Sequence, residues 1–128
     1  MLPWNNFFDS RELINETVPV YTAGTQGYVF LCLHGAGSSA LTFAALAEQL
    51  KATSTVVAFD WRGHGGHSRS DEMNLSADVL VQDTLEVISF VRTKFPERSI
   101  VLIGHAMGGA IAAKTLQLID TEMNESEL

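Results

Sequence analysis

Residues 99–113 read SIVLIGHAMGGAIAA. Ser99–Ile103 is an apolar, β-branched run of the kind that forms a buried strand, Gly104–Gly108 is a sharp turn, and the small residues that follow start a helix. The turn has the spacing of the Gly-x-Ser-x-Gly nucleophile elbow, with Ala106 where the serine would stand. A strand-to-helix turn this tight strains its central residue and leaves no room for side chains on either side, which gives Gly104 and Gly108 a physical reason. The same letters also fit a plain strand–turn–helix packed with small residues, so the choice between the two depends on the rest of the chain.

Working outward, the spacing predicts a helix over Gly109–Ile119 and then an acidic tail, DTEMNESEL. This divides the chain into a folded unit, 1–120, and a tail, 121–128, expected to be disordered. Before the elbow, Val81, Leu85, Ile88, Val91 and Phe95 recur at helical spacing. Ser76 stands at the cap of that helix, Asp78 lies in its first turn and Pro96 marks its end. Thr55–Phe59 is a second buried strand, followed by the loop Asp60-Trp61-Arg62-Gly63-His64-Gly65-Gly66-His67 and a polar stretch, Ser68–Asn74. Tyr28–Leu33 is a third. The loop after it, His34–Ser39 (HGAGSS), offers Ser38 or Ser39 as cap for a helix running to about Lys51, with Leu41, Leu46 and Leu50 facing inward. Thr17–Thr22 alternates weakly and contains Pro19, which suits an edge strand. Leu2–Phe8, with Trp4 and two phenylalanines, reads as an apolar arm packed on the domain.

Strands alternating with helices imply an α/β fold: a mostly parallel sheet with right-handed crossovers and helices on both faces. Sites in such sheets form at the carboxyl ends of the strands. HGAGSS, DWRGHG and GHAMGG each directly follow a strand, so all three fall on one rim, and this favours the elbow. Small residues in HGAG free backbone amides to face a developing oxyanion. The expected donors are the amides of Ala36 and Met107, neither of which needs a particular side chain. His34, Gly35, Gly37, Gly104, His105, Gly108, Asp60 and Arg62 complete the elbow and rim.

The chain has 128 residues, 46% of them apolar, which is enough for one small core. A net charge of −7 argues against a nucleic-acid or anionic-membrane partner. No apolar run approaches the roughly 20 residues of a membrane span. The first residues lack a secretory pattern, and the single cysteine, Cys32, lies in an apolar run, which suits a reducing compartment. Nothing calls for a cofactor. His64 and His67 have the look of a metal pair, but no third ligand stands at convincing spacing, and a loop histidine bonded to backbone is the simpler reading.

The segments HGAG–SALTFA, FDWRGHG, LSAD and IGHAMGGAIA, with the Pro3-Trp4 arm in front, resemble protein phosphatase methylesterase, a family of α/β-hydrolases. The resemblance runs from about Leu2 to Ile119 and corresponds to the amino-terminal part of the family's domain, a partial α/β-hydrolase fold. It implies a serine esterase that removes the methyl ester from the carboxyl-terminal leucine of the protein phosphatase 2A catalytic subunit, in the cytoplasm or nucleus, without cofactor or metal. It also implies that Ala106 occupies the nucleophile position, that Ala36 and Met107 line the oxyanion hole, and that Asp60, Arg62, Gly63, His64 and Gly65 form the structural loop after the fourth strand.

Two departures from the family's pattern predict inactivity. A methyl group at Ala106 cannot attack a carbonyl, and losing the nucleophile costs comparable triads roughly 10⁶ in turnover, or about 8 kcal/mol of barrier. In this fold the acid and histidine follow the nucleophile, whereas residues 107–128 hold no histidine, and their one aspartate, Asp120, reads as the end of a helix. Two other readings stay open: a non-catalytic binding module that holds a carboxylate or ester without turnover, and a fragment of another serine esterase. The strand Ser99–Ile103, apolar on both faces, is expected to self-associate if its edge is open.

Overall fold

The computed structural model describes residues 3–66 and 75–126. One five-stranded sheet, in the order β1-β2-β4-β3-β5, organises them. Its strands are β1 (Ser10–Ile14), β2 (Val18–Ala23), β3 (Val29–Leu33), β4 (Thr55–Phe59) and β5 (Ile100–Gly104). β3 pairs in parallel with both β4 and β5, while β2 runs antiparallel to β1 and β4. The expected α/β architecture therefore holds for the three strands that carry the glycine-rich loops, and an antiparallel pair extends the sheet on the far side.

Alternation along the strands feeds two cores. Val29, Leu31 and Leu33 of β3 and Val57 and Phe59 of β4 face one side. That side is covered by α2 (Ala77–Lys94) and α3 (Met107–Ser126) through Leu80, Val87, Val91 and Ile111. Cys32, Val56 and Ala58 face the other side, under a 3-10 turn (Ala40–Phe43) that runs into α1 (Ala44–Leu50). The amino-terminal arm packs there too, as its aromatics predict: Phe8 is buried, with its ring centroid 5.6 Å from that of Tyr21, and Trp4 stands edge-on to Tyr21 at 6.0 Å. Burial pushes the Cys32 thiol up to about 12, so it behaves as a small apolar side chain.

Three expectations need correction. First, β2 is not an edge strand. Every one of its residues is buried, and β1, which weak alternation hides in the sequence, takes the edge. Pro19 is tolerated because its missing N–H falls on the last rung of the β2–β4 ladder, where its carbonyl accepts the Asp60 amide at 3.2 Å. Second, neither Ser38 nor Ser39 caps the helix after β3. Ser39 precedes the 3-10 turn without a side-chain cap bond, and the Ala40 amide is taken instead by the Asp60 carboxylate at 2.8 Å. Ser38 bonds to the hydroxyl of Thr42. Third, α3 does not stop at Ile119. It continues to Ser126, through much of the stretch 121–128 expected as a disordered tail, because nothing from Asp120 onward is a proline or glycine that would end it.

Candidate active site

β5 ends at Gly104 and α3 begins at Met107, which leaves two residues to reverse the chain. Ala106 makes the reversal in the left-handed region, with φ of +53°. That conformation costs a residue with a Cβ about 1–2 kcal/mol. The turn is held by Gly108 N–H donating to the His105 carbonyl and Gly109 N–H to the Ala106 carbonyl, each at 2.9 Å. His105 N–H donates to the Leu33 carbonyl at 3.0 Å and so ties the elbow to the end of β3. Gly108 lies so close to that same carbonyl that a Cβ would overlap it, and Gly104 is packed equally tightly on Gly109. These two glycines are required by close approach, as the sequence spacing predicts. Ala106 itself is exposed.

The loop after β3 faces this elbow. Ser38 N–H donates to the Gly35 carbonyl at 3.2 Å, and Gly37 has φ of +77°, so Gly35–Ser38 is a turn of the type II form with Ala36 and Gly37 at its centre. A Cβ built on Gly35 would stand 3.2 Å from the His105 ring and 3.5 Å from the Ala106 methyl. The amide of Met107 lies in the first turn of α3, where no intrahelical acceptor exists. Among the described residues, neither it nor the amide of Ala36 finds an acceptor. Two amides without an acceptor among the described residues thus lie near the exposed Ala106: that of Met107, next to it in the chain, and that of Ala36, next to the Gly35 that faces it.

The third loop braces the other two. His34 is fully buried at the end of β3, with Nδ1 2.7 Å from the Gly35 carbonyl. A carbonyl can only accept, so Nδ1 carries the proton and Nε2 is left to accept Trp61 N–H at 3.2 Å. The Trp61 indole returns a bond to the His34 carbonyl at 2.8 Å. Burial pushes the His34 pKa below its ordinary value, and the nearby His64 adds to this, against the opposing pull of its bond to Gly35 and of Asp60. Asp60, 2% exposed, accepts the amides of Ala40 and Gly66 and so fastens the end of β4 to both neighbouring segments.

His34, Gly35, Ala36, Gly37, Gly104, His105, Ala106, Met107 and Gly108 are brought together at one end of the sheet, and Asp60 supports them from the end of β4. Arg62 joins that cluster only through its backbone, whose carbonyl bonds to His64, while its guanidinium grips Asp83 of α2 through two bonds, 2.8 and 3.0 Å long. His64 bonds to backbone on both ring nitrogens, as a loop histidine should. Its suggested metal partner His67 lies outside the described residues, among which no group of three metal-ligating side chains occurs. Asp120 is exposed in mid-helix. The reading of the sequence did not single out Trp61, Asp83 or the Leu33 carbonyl. Trp61 could have been found, since a tryptophan between two buried strand ends needs a partner for its N–H. The other two leave no sequence signal.

Comparison with known proteins bears on the family and the fold. The family model described as Hydrolase_4, serine aminopeptidase S33, matches residues 24–125. Among curated proteins, the chain is 38% identical over 120 residues to the probable protein phosphatase methylesterase 1 of Caenorhabditis elegans, covering 90% of this chain and 33% of that protein. It is 37% identical over 123 residues to protein phosphatase methylesterase 1 of Bos taurus, covering 89% and 32%. The chain thus spans about a third of the length of these relatives. Among solved structures, the thioesterase domain from the curacin biosynthetic pathway superposes with a TM-score of 0.66 at 26% identity, over 80% of this chain and 38% of that one. An alpha/beta hydrolase of Nostoc sp. PCC 7120 superposes with 0.68 at 29% identity, over 88% and 39%. Among the described residues, no helix is long and apolar enough to cross a membrane. With its elbow, its facing glycine turn and its mixed sheet in the order 1-2-4-3-5, the chain belongs to the α/β-hydrolase family described as serine aminopeptidase, S33.

Proposed function

We propose that this chain carries the nucleophile-elbow portion of a protein phosphatase methylesterase-type site, and that with alanine at position 106 it holds an ester or carboxylate without cleaving it. The observation that supports the reading is the pair of amides without an acceptor among the described residues, that of Met107, which follows the exposed Ala106, and that of Ala36, which follows the Gly35 that faces it. Such a pair suits a carbonyl oxygen that gains charge, and it needs no side chain to do so. In the working enzyme a serine at the elbow attacks the ester carbonyl, a histidine takes its proton, methanol leaves, and water frees the carboxylate. Here the first of those groups is a methyl. His34 and His64 do not supply the second. Both ring nitrogens of His34 and of His64 are engaged with backbone, so neither ring has a lone pair to accept a proton from a nucleophile.

The resemblance of the sequence to protein phosphatase methylesterase, the name its relatives also carry, supports as substrate class a polypeptide ending in a leucine methyl ester, as in the methylated catalytic subunit of protein phosphatase 2A. The test is a titration of the ¹⁵N-labelled chain with a short peptide ending in leucine methyl ester, and with the same peptide as free acid. The expected result is that the Ala36 and Met107 amide resonances shift first and furthest while the ester stays intact. Equal or larger shifts elsewhere, with these two unmoved, would overturn the reading.

A further inference from the structure

His64 does something no catalytic role requires of it. Its Nδ1 lies 3.0 Å from the Arg62 carbonyl, and its Nε2 lies 2.8 Å from the Gly37 amide nitrogen. The carbonyl can only accept and the amide can only donate. The ring is therefore the neutral Nδ1–H tautomer, a donor on one side and an acceptor on the other. It joins the loop after β4 to the turn after β3.

The place of attachment matters. Gly37 is the third residue of the Gly35–Ser38 turn, and its N–H belongs to the central peptide, between Ala36 and Gly37. In glycine-containing turns that peptide can rotate to interconvert the type I and type II forms, which reverses the direction of its N–H and C=O. A Cβ on Gly37 would meet nothing within 4 Å, so no packing at that residue opposes the rotation. The bond to His64 does. It also consumes the Gly37 amide, which leaves Ala36 as the donor this turn can offer to the elbow. His34, whose ring centroid is 5.1 Å from that of His64, uses the same tautomer to join the same two loops one layer deeper.

We propose that His64 is a positioning residue: its Nε2 fixes the Ala36–Gly37 peptide in the type II sense and so holds in one form the turn that carries the Ala36 amide, which itself belongs to the adjoining Gly35–Ala36 peptide. The functional half of this rests on the reading of Ala36 as a donor to the bound carbonyl; the lock itself does not.

The experiment uses the whole ¹⁵N-labelled chain. The expected signature is the Nδ1–H tautomer of His64, with a scalar coupling across the hydrogen bond between Gly37 N and His64 Nε2. His64→Gln places a carbonyl oxygen near Nε2 and is expected to retain the Gly37 amide shift. His64→Asn reaches only the Nδ1 side and is expected to lose that shift. For the peptide ending in leucine methyl ester, about tenfold weaker binding is expected for His64→Asn and near-native binding for His64→Gln. An Nε2–H tautomer, no coupling, or a Gly37 amide unchanged in His64→Asn overturns the lock. A lock that is present, with peptide binding equal in both variants, instead overturns the donor role given to Ala36.

Discussion

Trp61 and His34 bond to each other in both directions. The Trp61 amide donates to His34 Nε2 at 3.2 Å, and the Trp61 indole donates to the His34 carbonyl at 2.8 Å. The exits of β3 and β4 are joined by this exchange rather than by packing alone, and it works only while the His34 ring is neutral.

That neutrality predicts a pH dependence. Burial lowers the His34 pKa from its ordinary 6.5 in the folded chain. The unfolded chain therefore takes up a proton at a pH where the folded chain does not. The stabilisation is complete above about 6.5 and declines as pH falls from there toward the lower, folded value, by at most about 1.4 kcal/mol per pH unit from this one group. Urea midpoints between pH 7.5 and 5 should fall more steeply for the parent chain than for His34→Gln, which keeps an acceptor near Nε2 and does not titrate. Parallel slopes would remove His34 as the source.

The elbow predicts a stabilising substitution. Ala106 has φ of +53°, a conformation in which glycine carries no Cβ penalty. Ala106→Gly removes about 1–2 kcal/mol of strain. It also returns about 0.4–1 kcal/mol of entropy to the unfolded chain. The net expectation is a gain of about 0.5–1 kcal/mol, read from a shift in the denaturant midpoint at unchanged slope. A loss on that scale would mean that the alanine methyl packs more firmly than its exposure implies.

Ala106→Ser is expected to leave stability near that of the parent and to leave the chain without esterase activity. Oxygen at the elbow restores the nucleophile, but His34 and His64 have no ring nitrogen left to deprotonate it. Release of p-nitrophenol from its acetate and labelling by a fluorophosphonate are the two measurements. Turnover well above the buffer rate would identify His105, exposed beside Gly35, as a serviceable base.

How much of this was legible in the sequence differs by element. The elbow was legible because close backbone approach at Gly104 and Gly108 admits one residue type and so leaves a fixed spacing. The rim was legible because three apolar strands each end in a glycine-rich loop. β1 was not, since only Ile14 of its five residues packs against the core, and even then partly. Pro19 misled for a related reason: the proline rule concerns a missing donor, and here the donor is missing at a rung where the ladder ends. The helix cap after β3 was read from the nearest serines, although the group that serves it, Asp60, is twenty positions away. Local propensity carries no information about a bond of that span. The same holds for the grip of Arg62 on Asp83 across a crossover.

The last prediction concerns the free side of β5. Val29 N–H donates to the Ser99 carbonyl and His105 N–H to the Leu33 carbonyl, so residues 99, 101, 103 and 105 face β3. Ile100, Leu102 and Gly104 therefore turn their amides and carbonyls outward, along an edge with no paired strand among the described residues. The strand carries no charge and no proline, and Val101 is 39% exposed, so none of the usual guards against edge pairing is present. Two copies aligned antiparallel about Leu102 would satisfy these outward groups reciprocally. The expected outcome is concentration-dependent association in sedimentation velocity, reduced by Leu102→Lys, which places a charge at the centre of the contact, and by Leu102→Pro, which removes its amide. Because proline also strains the strand that pairs with β3, the lysine variant decides: a native-like circular dichroism spectrum with undiminished association would show that copies meet elsewhere. A single monomeric boundary for the parent chain at all concentrations would show that the edge stays unpaired.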